Sequence, residues 1–308
     1  MGGLIGRLAD SAAIQCRILN ESKGDAVKST RFQVDKHFYE QEALRLIEEN
    51  DQIQLIYGEL VFVRKDEVSG DFSVLLASGE ELIARKLVIT VGTFFDGVLH
   101  EGANISPGGR IGCDKSVPAR SIGLDVKLLS KKFKTGTPPR ILKSTVDTSR
   151  MEPQESDPAA QNFSFVGDPF FRSKPQLPCF KTHTNQDTID LVLDNKEKSP
   201  MFNGQIEGVG PRYCPSIEDK AYRYSDKTDH HIFIEPEGLN LNTFYPNGIS
   251  TSLPLDIQEE MVRTVKGMEN AKIEVPGYAV EYDVVDTSRL TTSLESVDCE
   301  GLYFAGQV

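Results

Sequence analysis

Two short apolar segments, far apart in the chain, constrain its fold more than any other feature. Residues 87–93 (Leu-Val-Ile-Thr-Val-Gly-Thr) and residues 301–307 (Gly-Leu-Tyr-Phe-Ala-Gly-Gln) each have the pattern of a buried strand that ends at a glycine. Such a glycine lets a dinucleotide approach the backbone closely, because it has no Cβ and tolerates positive φ. Each segment alone is equally consistent with a buried parallel strand that is followed by an ordinary turn glycine.

Helical and strand patterns alternate around these two segments, which predicts the α/β class. Helices are predicted over residues 33–50, from about residue 116 to 131, from Asn185 to 193, and from Pro254 to about 270. Asn185, or Thr184 before it, can cap the third helix, and Pro254 is acceptable at the start of the fourth.

Short aliphatic and β-branched runs predict a small β meander in the first third of the chain. They cover residues 53–57, 60–64 and 72–76, with Gly, Asp and Ser turns between them. The meander leads into the apolar strand at 87–91. This order of elements is typical of the β-rich arm of dinucleotide-binding domains.

Length and composition limit the class of protein. The chain has 308 residues, of which 39% are hydrophobic, and no Ser/Gly linker divides it, so we expect one interrupted domain with a large insertion. The 34 basic and 46 acidic residues give a net charge of −12. This balance argues against nonspecific coating of nucleic acid and still permits a local basic patch.

The cysteine pattern favours a reducing compartment. The five cysteines are an odd number without CxxC spacing, which supports neither a disulfide framework nor a metal site. His230 and His231 have no ligand spacing nearby and are interpreted as structural or surface residues. No apolar run approaches the length of a membrane helix, so we expect no membrane association.

The best candidate for a reactive side chain lies in residues 208–220 (Gly-Val-Gly-Pro-Arg-Tyr-Cys-Pro-Ser-Ile-Glu-Asp-Lys). Ser216 and Asp219 have the spacing of a helix cap, which places Cys214 just ahead of a helix and two residues after Arg212. Both features favour a thiolate, so Cys214 is the catalytic candidate. The alternative is a buried, inert thiol, which suits Cys16, Cys179 and Cys299 because apolar residues flank them.

A basic run follows the predicted helix at 116–131. It contains no acidic residue and comprises Lys127, Lys131, Lys132, Lys134, Arg140 and Lys143. In an acidic protein such a run could hold RNA phosphates, and residues 134–140 (Lys-Thr-Gly-Thr-Pro-Pro-Arg) offer rigid turn geometry. A solvated helix face followed by a loop is an equally weighted interpretation.

The G-x-G-x-x-G dinucleotide fingerprint is absent, and Val308 directly follows a predicted strand, where a phosphate-facing helix would be expected to begin. Both observations suggest a truncated chain. We therefore expect these residues alone to bind a dinucleotide poorly and to be inactive.

Six motifs together resemble the GidA/MnmG family, the large subunit of the tRNA uridine 5-carboxymethylaminomethyl modification enzyme. They lie in family order over essentially the whole chain: residues 17–24 (Arg-Ile-Leu-Asn-Glu-Ser-Lys-Gly), 134–140, 208–220, 235–238 (Glu-Pro-Glu-Gly), 245–254 (Tyr-Pro-Asn-Gly-Ile-Ser-Thr-Ser-Leu-Pro) and 302–307. Local departures are Asp25 where the family usually has Pro, Phe32 within the usual Arg-Ala-Gln, and Lys131-Lys-Phe in place of Gly-Arg-Leu.

This resemblance implies a cytoplasmic FAD enzyme, or one of the mitochondrial matrix in a eukaryote, that adds a carboxymethylaminomethyl group at C5 of the wobble uridine, position 34. It implies methylenetetrahydrofolate as the one-carbon donor, glycine as the coupled amine and NADH as a flavin reductant. It also implies a homodimer, a GTPase partner subunit and tRNA as substrate.

The resemblance also assigns residues. Cys214 matches a catalytic cysteine of the family, whereas no cysteine here replaces the family's other catalytic one. Leu60, Ser116 and Gln307 match FAD-contacting positions. The predicted tRNA contacts are Lys131, Lys132, Lys134, Arg140 and Arg212. The segment matching the family's NAD region comprises Gly210, Pro211, Arg212, Tyr213, Cys214, Pro215, Ser216, Ile217, Glu218, Asp219, Lys220, Ala221, Tyr222, Arg223 and Tyr224.

The predicted fold is therefore an α/β two-dinucleotide-binding flavoprotein. Its Rossmann-like FAD lobe is split between residues 1–120 and 275–308, and an NAD-like lobe is inserted at 121–274. Two other functions stay open at this point. One is a generic FAD/NAD(P)H oxidoreductase acting on a small molecule, and the other is a noncatalytic remnant that binds tRNA or a partner.

Overall fold

The structure, a computed structural model, describes residues 3–113, 117–118, 131–165, 174–211, 215–224 and 226–308. Its helices are α1 (Leu4–Ala12), α2 (Lys36–Glu48), α3 (Gln186–Asp194), α4 (Ile217–Arg223) and α5 (Leu255–Arg263). Within these ranges no helix combines the length and the apolar character that a bilayer crossing requires. The predicted helix at 116–131 falls almost entirely outside the described residues.

The strands form five small sheets. In chain order they are β1 (Ala13–Leu19), β2 (Ser29–Val34), β3 (Leu60–Lys65), β4 (Phe72–Leu76), β5 (Glu81–Ala84), β6 (Leu87–Ile89), β7 (Val98–Glu101), β8 (Asn104–Pro107), β9 (Phe133–Thr137), β10 (Arg140–Leu142), β11 (Glu152–Gln154), β12 (Cys179–His183), β13 (His231–Pro236), β14 (Thr243–Asn247), β15 (Ile273–Val275), β16 (Tyr278–Tyr282) and β17 (Leu302–Phe304). The mixture of helices and strands agrees with the predicted α/β class.

The largest sheet is antiparallel, with the strand order β11-β12-β13-β14-β10-β15. Helices α3, α4 and α5 contribute apolar side chains to the same core as the sheet. The core includes Ile141, Ile232 and Ile234 from the strands, and Ile189, Ile217, Ala221, Met261 and Val262 from the helices. Each of these side chains is almost fully buried, so this sheet and its helices form one packed unit.

A second core surrounds the two segments with which the sequence analysis began. Strands β6 and β17 pair in parallel, with Leu87 opposite Leu302 and Ile89 opposite Phe304. The antiparallel meander β3-β4-β5 packs beside them, and Phe72 of β4 is fully buried in their shared core. The parallel pairing brings together segments more than 200 residues apart, each of which was predicted to be a strand.

A four-stranded sheet, β8-β7-β16-β9, contains a third core around Tyr278, Val280 and Tyr282. A separate hairpin, β1-β2, contacts the loops and strands next to the largest sheet. The amide of Asp157 donates to the carbonyl of Cys16, and Arg31 pairs with Glu235. The hairpin therefore contacts residues assigned to the inserted lobe, although the predicted division placed it within residues 1–120.

Some predicted boundaries are wrong for identifiable reasons. Helix α2 begins at Lys36 rather than at residue 33, because β2 continues to Val34 and the Asp35 side chain accepts the amides of His37 and Phe38 as a cap. Residues 53–57 are not a strand, since no described strand pairs with them. Helix α5 ends at Arg263, ahead of a turn in which Gly267 has a φ of 82°.

Candidate functional site

Helix α4 follows the segment that carries the candidate cysteine. Arg212, Tyr213 and Cys214 lie outside the described residues, so the structure is described up to Pro211 and again from Pro215. The Ser216 hydroxyl accepts the amide of Asp219 at 3.1 Å, and the Asp219 carboxylate accepts the amide of Ser216 at 3.2 Å. This reciprocal cap confirms the predicted helix start two residues after Cys214.

A buried carboxylate anchors α4 to the loop after β14. Glu218 is 1% exposed, and its Oε1 accepts the amide of Ser252 at 2.9 Å and the hydroxyl of Thr251 at 3.0 Å. Lys220 Nζ donates to the carbonyl of Gly248 at 2.6 Å. These contacts anchor the helix to the loop through Oε1, while Oε2 of Glu218 is buried without a hydrogen-bond partner among the described residues.

The predicted NAD segment, 210–224, therefore divides by burial. Ile217 and Ala221 lie in the core with Glu218, whereas Tyr222 and Tyr224 are exposed. A bound nucleotide could reach the exposed side chains and the described backbone of Gly210 and Pro211. It could not reach the side chains of the buried residues unless α4 moved.

The loop that precedes Cys214 is held by a second buried carboxylate. Glu281 of β16 accepts the amides of Glu207 and Gly208 on its Oε1, at 2.9 and 2.6 Å. Val209 then exchanges backbone hydrogen bonds with Lys132 and Lys134, so the loop runs along the edge of β9. A Cβ at position 208 would lie 3.0 Å from the Phe133 carbonyl oxygen, which explains the glycine there.

Strand β16, which pairs with β9, also contacts Gln307, the predicted FAD-contacting residue near the other end of the chain. Tyr282 of β16 is fully buried, and its hydroxyl donates to Gln307 Oε1 at 2.7 Å. Its ring packs edge-on against Phe133 of β9, which lies directly opposite in the sheet. Strands β9 and β16 thus hold both Gln307 and the loop that leads to Cys214.

The ends of the parallel strands are open to a ligand. Gly92 and Gly306 have φ angles of 56° and 87°, and a Cβ at either position would meet no atom within 4 Å. Gln307 is exposed beside them, and Leu60 packs at the margin of the same core. These features fit the backbone edge of a dinucleotide site. Ser116 lies outside the described residues.

The basic run does not form one exposed patch. Lys134 is 1% exposed, and its Nζ lies 3.8 Å from the Asp219 carboxylate that caps α4. Arg140 pairs with Glu237 at 3.3 Å and lies over the ring of Tyr245. Internal partners therefore occupy both cations, and their predicted contact with tRNA stays a prediction.

The other members of the run differ in exposure. Lys131 is exposed, and Lys132 is half-buried with its Nζ 3.5 Å from Asp283. Lys143 lies over the ring of Phe244, and burial lowers its pKa. Lys127 falls outside the described residues. Among the described members of the run, Lys131 is thus exposed and Lys132 is partly accessible beside Asp283, so these two could meet an external anion.

Three cysteines have the burial that the inert interpretation predicts. Cys16 and Cys179 are buried and Cys299 is half-buried, whereas Cys113, for which no role was predicted, is also half-buried. Burial raises the pKa of Cys179 to about 12 and also raises that of Cys299. Both thiols are therefore protonated and unreactive at neutral pH.

Two histidine contacts were missed by the sequence analysis. His100 is buried with its Nε2 3.8 Å from Glu281, the carboxylate that holds the 207–208 loop. His231 Nδ1 lies 2.8 Å from His183 Nε2 across β12 and β13. Both depend on strand register between distant segments, which no local pattern reveals. His230 is buried, as the structural interpretation allowed.

Comparison with known proteins gives a match over the whole chain. A family model described as glucose inhibited division protein A matches residues 1–308. The structure is similar to Aquifex aeolicus GidA in its form I crystal, with a TM-score of 0.89 and 38% identity over 99% of this chain and 51% of that chain. For the form II crystal the TM-score is 0.87 and the identity 36%, over 99% of this chain and 49% of that chain. The chain thus spans about half the length of these solved proteins, and the predicted flavoprotein-type α/β fold is confirmed.

Proposed function

The chain belongs to the GidA family, and from that premise we propose that it forms part of an FAD-dependent enzyme that modifies the wobble uridine of tRNA. The proposed reaction places a carboxymethylaminomethyl group on C5 of that uridine. Methylenetetrahydrofolate is the proposed carbon donor and NADH the proposed reductant. The proposed assembly is a cytoplasmic homodimer that works with a GTPase subunit.

One structural observation carries this proposal beyond the family match. Strands β9 and β16 hold Gln307 through Tyr282 and hold the 207–210 loop through Glu281 and Val209. A flavin edge at Gln307 and a nucleophile at Cys214 would therefore be supported by the same two rigid strands. Catalytic groups held by rigid elements keep the fixed geometry that group transfer requires.

In the proposed mechanism Cys214 activates the pyrimidine. Its thiolate adds to C6, so that an S–C6 bond forms and the electrons of the C5–C6 double bond make C5 nucleophilic. C5 then bonds to a methylene carbon at the oxidation level of formaldehyde, the glycine amine bonds to the same carbon, and tetrahydrofolate is the leaving group. Bound FAD would supply the chemistry that carries this carbon from methylenetetrahydrofolate, and Leu60 and Gln307 would hold the cofactor. Loss of the C5 proton to a base restores the double bond and expels the thiolate. Arg212, two residues away, favours the ionised thiol throughout.

The roles of the basic residues follow from their exposure. Lys131, Lys132 and Arg212 are the proposed phosphate contacts, since the first is exposed and the second is half-buried at the surface. Lys134 and Arg140 act differently in this proposal. They stabilise the cap of α4 and the Glu237 loop on which the site is built.

The test is Cys214→Ser in the protein encoded by the complete gene, with Cys299→Ser as the matched control. Serine keeps nearly the volume of cysteine, but its hydroxyl does not ionise at neutral pH. We expect Cys214→Ser to reduce uridine modification by more than 100-fold, with flavin content unchanged, because a catalytic nucleophile has been removed. Cys299→Ser should retain activity within about twofold.

Mass spectrometry of nucleosides from digested tRNA measures the product, and flavin absorbance measures cofactor content. Near-normal modification by Cys214→Ser would exclude this thiol as the nucleophile. An active protein that oxidises NADH but leaves tRNA unmodified would instead favour a small-molecule oxidoreductase.

A further inference from the structure

An open cavity of about 350 Å³ lies between the β1–β2 hairpin and the strands β11 to β14. It is separate from the β9–β16 strands that carry the proposed site. Its lining comprises Gln15, Arg17, Leu19, Arg31, Gln154, Cys179, Lys181, His231, Phe233, Glu235 and Asn247. The volume lies at the small end of the range of ligand pockets, which suits one nucleotide unit better than a dinucleotide.

The charge of the lining is positive in a chain whose net charge is −12. Arg31 donates to both oxygens of the buried Glu235 at 2.8 Å, which neutralises this pair. Arg17 donates to the Glu155 carbonyl at 3.3 Å and forms no ion pair with another described residue. Lys181 lies 3.7 Å from the exposed Glu152, a weak surface pair. Two cations thus face the cavity without a buried counterion.

The wall also offers groups that recognise a planar heterocycle. The rings of Phe233 and His231 lie on the same sheet face, with centroids 6.4 Å apart. Gln15 is 1% exposed and donates to the Gln154 carbonyl at 2.7 Å, while its Oε1 has no hydrogen-bond partner among the described residues. A buried acceptor without a partner is costly, and because Gln15 lines the cavity, a donor on a ligand would satisfy it if the amide turned towards the cavity.

We propose that this cavity binds a nucleoside phosphate. Arg17 and Lys181 receive the phosphate, because guanidinium and ammonium groups form the strongest hydrogen bonds to phosphate oxygens. Phe233 stacks on the base, a contact that tolerates any base. Gln15 accepts a hydrogen bond from the ligand. The ligand is either a free mononucleotide or one nucleotide of an RNA strand, and the RNA source rests on the proposed function.

The test uses Arg17→Ala with Lys28→Ala as the matched control. Lys28 is an exposed cation in the connection between β1 and β2, it pairs with Glu21, and it does not line the cavity. Each of the four ribonucleoside 5′-monophosphates is titrated by calorimetry into both variants and into the unaltered chain. We expect at least one to bind, with the affinity lowered about tenfold in Arg17→Ala and unchanged within twofold in Lys28→Ala.

Phe233→Leu is the second variant, chosen because it keeps an apolar side chain on the strand. This substitution should weaken the binding of the nucleotides more than the binding of inorganic phosphate, since inorganic phosphate has no base to stack on the ring. An unmodified tRNA transcript that displaces the bound nucleotide identifies RNA as the source, whereas a transcript that does not displace it identifies the free nucleotide.

The proposal is overturned if none of the nucleotides binds the unaltered chain. It is also overturned if Arg17→Ala and Lys28→Ala weaken nucleotide binding equally. Thermal unfolding of each variant separates loss of the site from loss of the fold. Cys214→Ser replaces none of the described residues that line this cavity. Nucleotide binding by that variant therefore distinguishes failure of this proposal from failure of the proposed function.

Discussion

At the residue scale, the fold favours the neutral form of one imidazole, that of His100. Burial lowers the pKa of His100 below its ordinary value, Glu281 opposes this by raising the pKa, and Lys132 lowers it further. Because the folded pKa lies below the unfolded value of about 6.5, the neutral imidazole contributes stability at higher pH. That stability is lost as the pH falls from 6.5 through the folded pKa.

His100→Gln is therefore expected to make the protein less sensitive to acid. Between pH 7.0 and 5.0 the melting temperature of the unaltered chain should fall more steeply than that of the variant, because the unaltered chain must protonate the buried His100 ring and the variant has no ring there, while buried His230 is common to both. His37→Gln, at an exposed position of α2, is the control and should follow the unaltered chain. Parallel curves for all three proteins would contradict this account of His100.

At the element scale, helix starts could be predicted from the sequence, whereas the pairing of strands and of distant side chains could not. The caps Asn185–Thr188 and Ser216–Asp219 use two side chains three residues apart, so their helix starts were predicted correctly. The supposed strand at 53–57 has the right residue types but no described partner strand. The burial of Lys134 could not be predicted from the sequence, because its partner Asp219 lies 85 positions away in the chain.

The cap of α4 leads to a prediction about activity. Ser216→Ala should destabilise the protein by about 1 kcal/mol, because it leaves the amide of Asp219 without an acceptor at the helix start. Asn185→Ala removes the equivalent cap from α3 and should cost about the same. Since only α4 follows the Cys214 segment, we expect Ser216→Ala alone to slow tRNA modification, by about tenfold.

Urea denaturation measures the first effect, and nucleoside mass spectrometry measures the second. Equal loss of activity in the two cap variants would assign the effect to general stability. Full activity in Ser216→Ala would show that the start of α4 does not position the cysteine.

At the scale of the whole molecule, the described residues divide between separate apolar cores. One is the six-stranded sheet with α3, α4 and α5, built from residues between 141 and 271. Another surrounds β6 and β17 with residues from both sides of that interval, from 63 to 95 and from 285 to 308. The predicted division at 120/121 and 274/275 follows this pattern and stays a prediction. Strand β9 of the predicted inserted lobe pairs with β16 of the predicted FAD lobe, and such pairing would let the molecule unfold as one unit.

The division predicts two transitions in urea, with the smaller core unfolding first because it contains fewer buried apolar side chains. Phe72→Ala should lower the stability of the first transition by about 3–5 kcal/mol, and Ile232→Ala that of the second by about 2–5 kcal/mol, since both side chains are fully buried. Hydrogen exchange followed by mass spectrometry assigns each transition to its peptides. If a single transition shifts in both variants, the two cores form one cooperative unit. The predicted lobes would then not unfold independently of each other.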